Sequence, residues 1–348
     1  MAEPTQRSAP RVPSAGGRPV AAVVVATGLA HLDRVFEYAI PDELTDTAQP
    51  GVRVRVRFAG RDLDGFVVER RHEARHEGPL APLRRVVSPE PVLTPDILAL
   101  VRAVADRYAG TRGDVLRLAV PKRHAAAERA LTERPPEQVA LVPTPEPGPW
   151  SAYPAGPSLV RRVGRGENPA ASWLALPGQR DNADWPAALA VLAVAAVSAG
   201  RGAVIVVPDH RDVDRVDSAL RTALGAGRHV RLTAAQGPHA RYTAWLSILR
   251  GHVQCVVGTR AAMFAPVRNL GLVAWWDDGD DLLAEPRAPY PHVREVLMLR
   301  AAQSGAAAVS GGFARSVDQQ LALESGGVHA VAAAPAQVRA TAPRVLVA

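Results

Sequence analysis

The most informative stretch of this sequence is GHVQCVVGTRAAMFAPVRNLGLVAWWDDGDD, residues 251–281. It contains two short apolar runs, at 253–257 and 272–276, and polar residues follow each run directly. Such runs predict buried strands of a parallel sheet, and open parallel sheets bind ligands at the carboxyl ends of their strands. Any chemistry in this part of the chain is therefore expected at residues 258–260 and 277–281.

Helical and strand-like segments alternate around this stretch. The apolar run AVIVV at 203–207 is preceded by an apolar helical segment at 186–200 and followed by an amphipathic one at 213–224. Strands separated by helices of this length predict crossover units and a parallel sheet. The fold class expected for this half of the chain is therefore α/β.

The N-terminal half has a different pattern, in which short strands are separated by turns. Strands are predicted at 20–25, 35–40, 52–58 and 65–69. In the third of these, VRVRVRF, valine and arginine alternate with the period of a half-buried strand, which places the arginines on one face. The residues of that face are Arg53, Arg55 and Arg57. The pattern predicts a small β-rich domain, and it leaves open whether the basic face is merely solvated or binds phosphate.

Shifts in composition divide the chain into four segments. Residues 1–18 are rich in proline, serine, glycine and arginine, which predicts a disordered tail. Residues 19–120 are the β-rich domain, which closes with a predicted helix at 94–110. Residues 121–172 carry many prolines and glycines and predict a linker or a reduced domain. Residues 173–348 are the α/β lobe.

The charge balance favours a polyanionic partner. The chain has 41 lysines and arginines against 34 aspartates and glutamates, a net charge of +7. Such a balance is typical of nucleic-acid-binding proteins. Only one of these basic residues, Lys122, is a lysine, so any motif that requires lysine can exist only there.

Cysteine usage and hydropathy exclude several classes of protein. Cys255 is the sole cysteine, so an intramolecular disulfide and a multi-cysteine zinc site are excluded. No apolar run has the length needed to span a membrane, and the run at 21–30 lacks the cleavage site of a signal peptide. We expect a cytoplasmic protein with no membrane partner.

Six longer segments carry a family resemblance. They are HLDRVFEYAIPDEL, GVRVRVRFAGR, PLRRVVSPEPVLT, DRYAGTRGDVLRLAVP, ARYTAWLSILRGHVQCVVGTRAAMFAP and LGLVAWWDDGDD. In this order they resemble segments of the PriA family, the primosomal proteins N′ that restart replication at abandoned forks. The resemblance implies a domain that binds the 3′ end of a nascent strand, followed by a RecA-like lobe of the superfamily 2 helicase (P-loop NTPase) type. It also implies forked DNA with a 3′ end, primosome proteins and replication proteins as partners, and association with the nucleoid.

The resemblance assigns the end-binding pocket to Phe36, Glu37, Tyr38, Gly60 and Arg84. Glu37 stands where the family has an aspartate, and it remains a carboxylate acceptor for a terminal hydroxyl. Phe36 and Tyr38 flank Glu37 in a strand and face the opposite way, which leaves open whether one of them belongs to the core. Gly60 allows a close backbone approach, and Arg84 supplies a phosphate contact.

The phosphate-binding motif that the resemblance implies is missing. A working P-loop needs G-x-x-x-x-G-K-[ST], because backbone amides cradle the phosphates while a lysine neutralises them. At the corresponding position, residues 174–186, the chain has LALPGQRDNADWP, in which only Gly178 matches. Arg180 supplies a charge without this geometry, so no residue is assigned to cofactor binding.

The remaining helicase motifs are preserved in part. Asp277 matches the Mg²⁺-binding aspartate of a Walker B element, and Asp278 replaces the glutamate that positions the attacking water. We interpret this pair as vestigial and assign no catalytic residue. The motif that couples hydrolysis to DNA movement is replaced by SGGFARS at 310–316. The DNA-backbone contact of the family is kept at Thr259 and Arg260.

Three functions stay open at this stage. The first is a restart protein that binds forked DNA and helps to assemble the primosome without helicase activity. The second is an active ATP-dependent 3′ to 5′ DNA helicase. The third is an unrelated α/β enzyme or binding protein, for which no nucleophile, base and orienting group show a suggestive spacing.

Cofactors are not expected in this chain. Family members use ATP with Mg²⁺ and also zinc, but the P-loop is missing here and the zinc-binding region with its cysteines is absent. No metal site is therefore assigned. Whether the chain is a fragment of a longer protein is left open by the sequence.

Overall fold

The computed structural model describes residues 19–133 and 142–342, which form two units. The first unit comprises the residues up to Leu98 together with Gly110–Arg117. The second comprises Ala99–Ala109 and the residues from Leu118 onward. The tail predicted at 1–18 lies outside the described residues.

An antiparallel sheet of five strands forms the first unit. Its strands are β1 (Val20–Val25), β2 (Val35–Ala39), β3 (Val52–Phe58), β4 (Arg61–Arg71) and β5 (Arg85–Pro91), in the order β2-β1-β4-β3-β5. The segment before β5 bonds back to β2, because Ala39 N–H donates to Ala81 C=O and Leu83 N–H donates to Ala39 C=O, both at 3.0 Å. The sheet thereby closes into a small barrel.

The alternation predicted for β3 is present in the structure. Val52, Val54 and Val56 are fully buried in the barrel core, and the arginines between them lie on the outer face. The hairpin turn between β3 and β4 consists of Ala59 and Gly60, whose φ angles are 46° and 78°. Tight two-residue hairpins of this hand require positive φ at both positions, and glycine adopts it without strain.

Carboxylates of β4 neutralise much of the basic face of β3. The register pairs Arg55 with Asp64 and Arg57 with Asp62. The guanidinium and carboxylate groups of these pairs lie 2.8 and 3.4 Å apart. These contacts support the interpretation of a solvated face with internal partners, since a paired arginine has less charge to offer a phosphate.

The second unit is built on a parallel sheet. Its strands are β6 (Ala170–Leu174), β7 (Gly202–Val206), β8 (His229–Leu232), β9 (Cys255–Gly258), β10 (Leu270–Trp276), β11 (Ala307–Gly312) and β12 (His329–Val331). They lie in the order β12-β6-β11-β10-β7-β9-β8, and every neighbouring pair is parallel. The predicted fold class, a small β-rich domain followed by an α/β lobe with a parallel sheet, is confirmed.

Helices connect these strands. The α-helices of the described residues are α1 (Pro95–Arg107), α2 (Arg112–Ala119), α3 (Ala125–Thr132), α4 (Gly156–Gly164), α5 (Trp185–Ser198), α6 (His210–Leu224), α7 (Pro238–Leu249), α8 (Val293–Ser304), α9 (Val317–Glu324) and α10 (Pro335–Thr341). One core joins the sheet to α4, α5 and α6. Eleven of the 14 residues of α5 are buried, so this helix is covered by the sheet on one side and by its neighbours on the other.

The segment predicted as a linker or a reduced domain, residues 121–172, contributes to this core. Trp150 is fully buried, its Nε1–H donates to Ala188 C=O of α5 at 2.8 Å, and its ring lies 4.6 Å from that of Trp173. Residues 134–141 lie outside the described residues. The part at 142–172 therefore packs as a piece of the lobe, and its prolines separate short helical turns instead of forming a spacer.

Cys255 is a core residue of β9, between β7 and β8. Its side chain is fully buried, and burial raises the pKa of the thiol to about 12. The thiol is therefore protonated at neutral pH and shielded from solvent.

Candidate nucleic-acid interface

A cavity of about 600 Å³ opens in the first unit beside the beginning of β2. Three of the predicted pocket residues, Phe36, Glu37 and Tyr38, line it. Gly60 and Arg84 do not, although the turn residue Ala59 does. The structure thus brings together the β2 part of the predicted pocket and places the other two residues outside it.

Glu37 is held by three hydrogen bonds. Its Oε1 accepts from a guanidinium N–H of Arg71 at 2.5 Å, and its Oε2 accepts from the backbone N–H groups of Arg75 and His76 at 2.8 and 3.0 Å. The side chain is only 9% exposed. Three donors use most of the acceptor capacity of a carboxylate. Glu37 therefore ties the segment 72–79 to β2, and we call this set of bonds the Glu37 clamp.

The protonation state of Glu37 follows from this environment. Burial raises its pKa, but the hydrogen bonds from His76, Arg75 and Arg71 outweigh burial, so the pKa lies below its ordinary value of 4.5. The carboxylate is ionised at neutral pH. By linkage, the clamp contributes stability above the unfolded pKa and loses it as the pH falls through the lowered folded pKa.

The two aromatic residues of the predicted pocket have different roles. Tyr38 is 4% exposed in the barrel core, its hydroxyl donates to Arg57 C=O at 3.4 Å, and burial raises its pKa to about 12. Phe36 is half-buried and packs edge-on against Phe58 at 4.7 Å, while the Arg34 guanidinium lies 5.0 Å over its ring. Tyr38 is therefore the core residue, and Phe36 is the more accessible ring.

Gly60 and Arg84 are placed by local structure. No atom lies within 4 Å of the position that a Gly60 Cβ would take, so its turn conformation, and not a close approach within the chain, requires glycine. Arg84 is exposed, and its side chain makes no hydrogen bond or ion pair with the residues that the structure describes. It is free to meet a phosphate, but outside the cavity.

Sequence reasoning missed most of the cationic lining of the cavity. Arg34, Arg71, Arg75 and His76 belong to it. The last three lie 34 to 39 positions from Glu37 and no periodic pattern connects them to it. The only local signal is the run RRHEARHE at 70–77, which concentrates arginine and histidine directly after a strand.

A second candidate region lies at the carboxyl edge of the parallel sheet. The loop 175–184 follows β6, Asp277 and Asp278 follow β10, and residues 313–316 follow β11. Because β6, β11 and β10 are neighbours in the sheet, these positions lie at one edge. The structure thus brings together the positions of the three nucleotide motifs.

The contacts of the loop 175–184 differ from those of a phosphate cradle. Asp184 caps α5, where its Oδ1 accepts from Trp185 N–H at 2.7 Å and its Oδ2 accepts from Arg215 at 2.6 Å. The backbone N–H of Leu176 is also used, since it donates to the Tyr153 hydroxyl at 3.0 Å. A carboxylate therefore stands at the helix N-terminus, where a phosphate would need free amides.

Aromatic rings fill the space next to this helix terminus. Trp185 stacks on Trp276 with ring centroids 4.2 Å apart and planes 6° apart. Trp173 and Phe313 contact the same Trp276 ring at 5.7 and 5.2 Å. Both stacked rings are buried. The beginning of α5 is thus packed against the end of β10.

Asp278 is engaged inside the lobe. It is 5% exposed, its Oδ1 accepts from Trp275 Nε1–H at 2.6 Å, and its Oδ2 accepts from Arg294 at 2.6 Å and from the Ser316 hydroxyl. The carboxylate therefore joins β10 to α8 and to the N-cap of α9. A side chain used in this way is not available to position a water molecule.

Asp277 has the opposite character. It is exposed, has a φ of 55°, and makes no side-chain hydrogen bond with the described part of the chain. Desolvation in the turn raises its pKa, and the nearby Asp280 and Asp278 raise it further. A bound cation would favour the ionised carboxylate of Asp277. The turn itself, residues 277–281, contains no positively charged side chain that could do the same.

Of the predicted DNA-backbone contact in the lobe, only Thr259 is free. The Arg260 guanidinium donates to Leu282 C=O, and its Nε lies 3.5 Å from a Glu285 oxygen. Thr259 is half-buried at the end of β9, and its side chain has no hydrogen-bond partner within the described ranges. Arg260 would have to leave its partners to reach a phosphate.

ATP with Mg²⁺ does not fit the residues at this edge. The loop 175–184 contains no lysine, serine or threonine, so the groups that neutralise the phosphates and hold the metal are missing. Asp184 covers the helix terminus, and Asp278 is bound to Arg294. Elsewhere in residues 19–133 and 142–342, no group of three or more histidine, cysteine, aspartate or glutamate side chains is placed to hold a metal ion.

Comparison with known proteins assigns the first unit to a class. Residues 22–121 match the family model PriA 3'DNA-binding domain (3'BD). This range contains the barrel and the cavity beside β2. The first unit thus belongs to the class of 3′ DNA-binding domains, and an α/β lobe with a parallel sheet follows it along the chain.

Comparison over most of the chain gives the family. The probable replication restart protein PriA of Mycobacterium tuberculosis is 51% identical over 316 residues, which cover 91% of this chain and 47% of that protein. Its counterpart from Mycobacterium leprae is 50% identical over 317 residues (91% and 48%), and PriA of Treponema pallidum is 27% identical over 319 (86% and 45%). The chain belongs to the PriA family and spans about half the length of the curated relatives it matches. The third interpretation, an unrelated α/β protein, is therefore wrong.

The α/β lobe also has a distant likeness among solved structures. A hypothetical ATP-dependent RNA helicase from Sulfolobus tokodaii aligns with 61% of this chain and 57% of its own, at 12% identity and a TM-score of 0.36. Similarity at this level adds nothing to the topology described above. Among the described residues, the helices are too short or too polar to cross a membrane.

Proposed function

We propose that the chain recognises abandoned or stalled replication forks through the 3′ end of the nascent strand, and that it acts in replication restart without unwinding DNA. The observation that supports this is the position of the cavity beside β2, inside the range that matches the 3′ DNA-binding domain. Its lining combines cations such as Arg75 with the accessible ring of Phe36. Cations bind phosphates and rings stack on bases, so a cavity of this kind suits a strand end of any sequence.

The proposal includes partners and location. A protein that marks a fork without unwinding it acts by recruiting other components, so its proposed partners are primosome and replication proteins, at the nucleoid in the cytoplasm. The net charge of +7 supports a DNA partner. Neither ATP with Mg²⁺ nor zinc has a role in the proposed function.

Binding is expected to depend on DNA structure and on salt. A fork with a recessed 3′ end should outcompete a blunt duplex of equal length by about ten-fold, the equivalent of one or two ionic contacts. The affinity should fall steeply with salt, with a slope near −0.7 for each phosphate contacted on a single strand. Fluorescence anisotropy of labelled forks and duplexes, titrated at several salt concentrations, measures both quantities.

Two substitutions test where this preference originates. Glu37→Ala should reduce the preference for the fork, because the segment 72–79 loses its attachment, and Arg84→Ala should lower the salt slope by about one phosphate contact. Arg129→Ala, at an exposed arginine of α3, serves as the control and should change neither quantity. Equal affinity of the unsubstituted protein for fork, duplex and single strand would rule out the proposed function.

ATP hydrolysis is expected to stay at background, with or without forked DNA. The physical reason is the missing lysine and hydroxyl of the loop 175–184, which leaves the phosphate charge without stabilisation. Phosphate release at saturating ATP and Mg²⁺ should be the same for the unsubstituted protein and for Asp277→Ala. DNA-stimulated turnover that Asp277→Ala abolishes would instead establish the helicase alternative.

A further inference from the structure

The parallel sheet of the second unit has a free edge at β8. β8 is the last strand in the sheet order, and among the described strands only β9 pairs with it. A groove of about 690 Å³ lies at this edge, and we call it the β8 groove. It is lined by β8 itself, by α6 with the turn that follows it, and by α7. Right-handed crossovers place α6 and α7 on opposite faces of the sheet, so a groove lined by both helices must cross the free edge.

The hydrogen bonds of β9 show which of its residues bond to β8. Val207 N–H, at the end of β7, donates to Gly258 C=O of β9 at 2.9 Å, so the backbone of Gly258 faces β7. Successive residues of a strand bond to opposite neighbours. Cys255 and Val257 therefore direct their backbone groups towards β8.

The register of β8 then turns two of its residues away from the sheet. In a parallel pair, a residue bonds to the two residues on either side of its direct partner, and that partner bonds away. His229 lies opposite Cys255, and Arg231 lies opposite Val257. The N–H and C=O groups of His229 and Arg231 therefore point outward, and within residues 19–133 and 142–342 no backbone group bonds to them. The His229 side chain is 3% exposed and the whole residue 8%, so its backbone is the more accessible part.

The two sides of the β8 groove differ in chemistry. On the α6 side lie Arg221 and Arg231, each ion-paired to an aspartate of α6. Their side chains are 63% and 36% exposed, and each guanidinium has further N–H donors to offer. On the α7 side lie Ala240, Ala244 and the half-buried Val230 of β8. One side therefore favours acidic side chains, and the other has room for aliphatic ones.

From this arrangement we propose that the β8 groove binds an extended segment of a partner protein, which adds to the sheet as a further strand beside β8. The segment carries acidic side chains towards α6 and aliphatic side chains towards α7, and the two kinds alternate with the two-residue period of a strand. Backbone hydrogen bonds supply the affinity of such additions, and alternate side chains supply the specificity. The inference rests on the recruiting role in the proposed function, for which it names the surface and the chemistry of the partner.

Charge and hydrogen bonding distinguish this occupant from two others. Asp217 is the only carboxylate that lines the groove, and it is 9% exposed and already bonded to His229 and Arg221, so the accessible charge is positive. A second copy of the chain would bring its own Arg221 and Arg231 to the same edge, where like charges repel. A nucleic-acid strand would suit the arginines, but its phosphates would face the outward C=O groups of β8, which only a donor can satisfy.

The test uses the full chain and three synthetic nine-residue peptides with blocked termini. The first alternates glutamate and valine, the second has lysine in place of each glutamate, and the third is the first peptide with every amide N-methylated. Calorimetric titration measures affinity, and amide exchange followed by nuclear magnetic resonance locates the bonds. The variants are Arg231→Ala, Arg231→Pro and Ala240→Trp, with Arg211→Ala as a matched exposed arginine outside the groove.

The expected affinities separate the backbone from the side chains. The glutamate peptide should bind about ten-fold more tightly than the lysine peptide, and N-methylation should abolish binding because it removes every backbone donor. Arg231→Ala should weaken binding about five-fold. Arg231→Pro should weaken it about five-fold more, since proline removes an outward N–H that the sheet itself does not use. Ala240→Trp should block the space for valine, and Arg211→Ala should bind normally.

Amide exchange gives a readout that does not depend on any variant. Saturating glutamate peptide should slow exchange of the His229 and Arg231 amides about ten-fold. It should leave the Val230 amide unchanged, because that amide already bonds to β9. Slow exchange in β10 of Arg231→Pro serves as the control that this variant keeps its fold.

Four outcomes would overturn the inference. The first is no binding of the glutamate peptide at about 1 mM, or binding equal to that of the lysine peptide. The second is binding that leaves exchange of His229 and Arg231 unchanged. The third is a single-stranded oligonucleotide that displaces the peptide and protects the same amides, which would assign the groove to nucleic acid. The fourth is a dimer in sedimentation that Arg231→Pro dissociates, which would make a second copy the occupant.

Fork binding measured on the same samples separates this inference from the proposed function. Every variant should keep the preference of the unsubstituted protein for forks, since the β8 groove belongs to the second unit. Failure of the peptide tests with that preference intact would overturn the inference alone. Absence of the preference in the unsubstituted protein would overturn the proposed function, whatever the peptides do.

Discussion

Replacing Trp150 with alanine is expected to lower the free energy of unfolding of the second unit by about 3–5 kcal/mol, the usual cost of removing a large buried ring. Trp150 is fully buried, bonds to Ala188 of α5 and packs against Trp173. Its removal leaves a cavity between the 3-10 turn Gly148–Ala152 and a helix that is itself largely enclosed. The loss is therefore one of packing as well as of a hydrogen bond.

Hydrogen exchange measures this effect for each unit separately. Amides of β10 and β11 should exchange faster in Trp150→Ala, while those of β1 and β4 should be unchanged. Phe313→Ala is the aromatic control. Because the Phe313 ring is 57% exposed, its removal should lower the free energy of unfolding much less. Unchanged exchange in β10 and β11 would show that residues 142–172 are not part of the core of the lobe.

Asp278→Asn is expected to lower the free energy of unfolding by about 3 kcal/mol. This is the lower end of the range for removing one partner of a buried ion pair. The substitution leaves the partly buried Arg294 guanidinium without its closest carboxylate, although Asp318 at 3.1 Å and Glu295 at 3.3 Å remain. The bonds to Trp275 and Ser316 weaken as well, because the amide carries no negative charge. The energetic role of Asp278 is therefore structural.

Asp277→Asn is the matched control, one position away. Asparagine tolerates the left-handed backbone conformation at this position, and the side chain is exposed and has no hydrogen bond within the described residues. Its cost should stay within about 0.5 kcal/mol. Urea unfolding followed by far-ultraviolet circular dichroism compares the two variants. A similar cost for both would mean that the buried contacts of Asp278 do not stabilise the lobe.

The fold class could be predicted because its signals are local. β3 alternates between valine and arginine along its whole length, and β10 is buried on both faces, so each strand carries its burial pattern in its own residues. The ends of elements were less predictable. β4, for example, begins at Arg61 and ends at Arg71, whereas only its apolar part at 65–69 was predicted, since cross-strand pairing extends it through charged residues.

Composition does not predict which residues join the core when the contacts are made with distant parts of the chain. The prolines and glycines of 142–172 are typical of a linker, but Trp150 reaches α5, 38 positions further along the chain. Proline is common at the start of short helices as well as in unstructured segments, so a high proline content does not by itself indicate a linker. Only the single tryptophan of that stretch, Trp150, indicated burial.

The sequence selects candidate site residues, but it does not predict the environment of their side chains. Glu37 could be chosen from the sequence, whereas its donors Arg71 and Arg75 come from the far end of β4 and beyond it. Asp278 likewise depends on Arg294, which lies in α8, 16 positions further along the chain. Arg260 is predicted to contact the DNA backbone, and its pairing with Glu285 cannot be predicted from its neighbours in the sequence. In each case the role of a charge is set by the partner that tertiary structure provides.

The burial of Cys255 makes the chain convenient for site-specific spectroscopy. Its thiol is the only one in the sequence, is enclosed between two strands and has a pKa of about 12, so maleimide reagents at neutral pH should leave it untouched. A cysteine introduced at the exposed position of Glu73 would then take a single fluorophore without removal of a native residue. A dye at that place would report, in real time and in the otherwise unaltered protein, whether the environment of 72–79 changes when DNA binds.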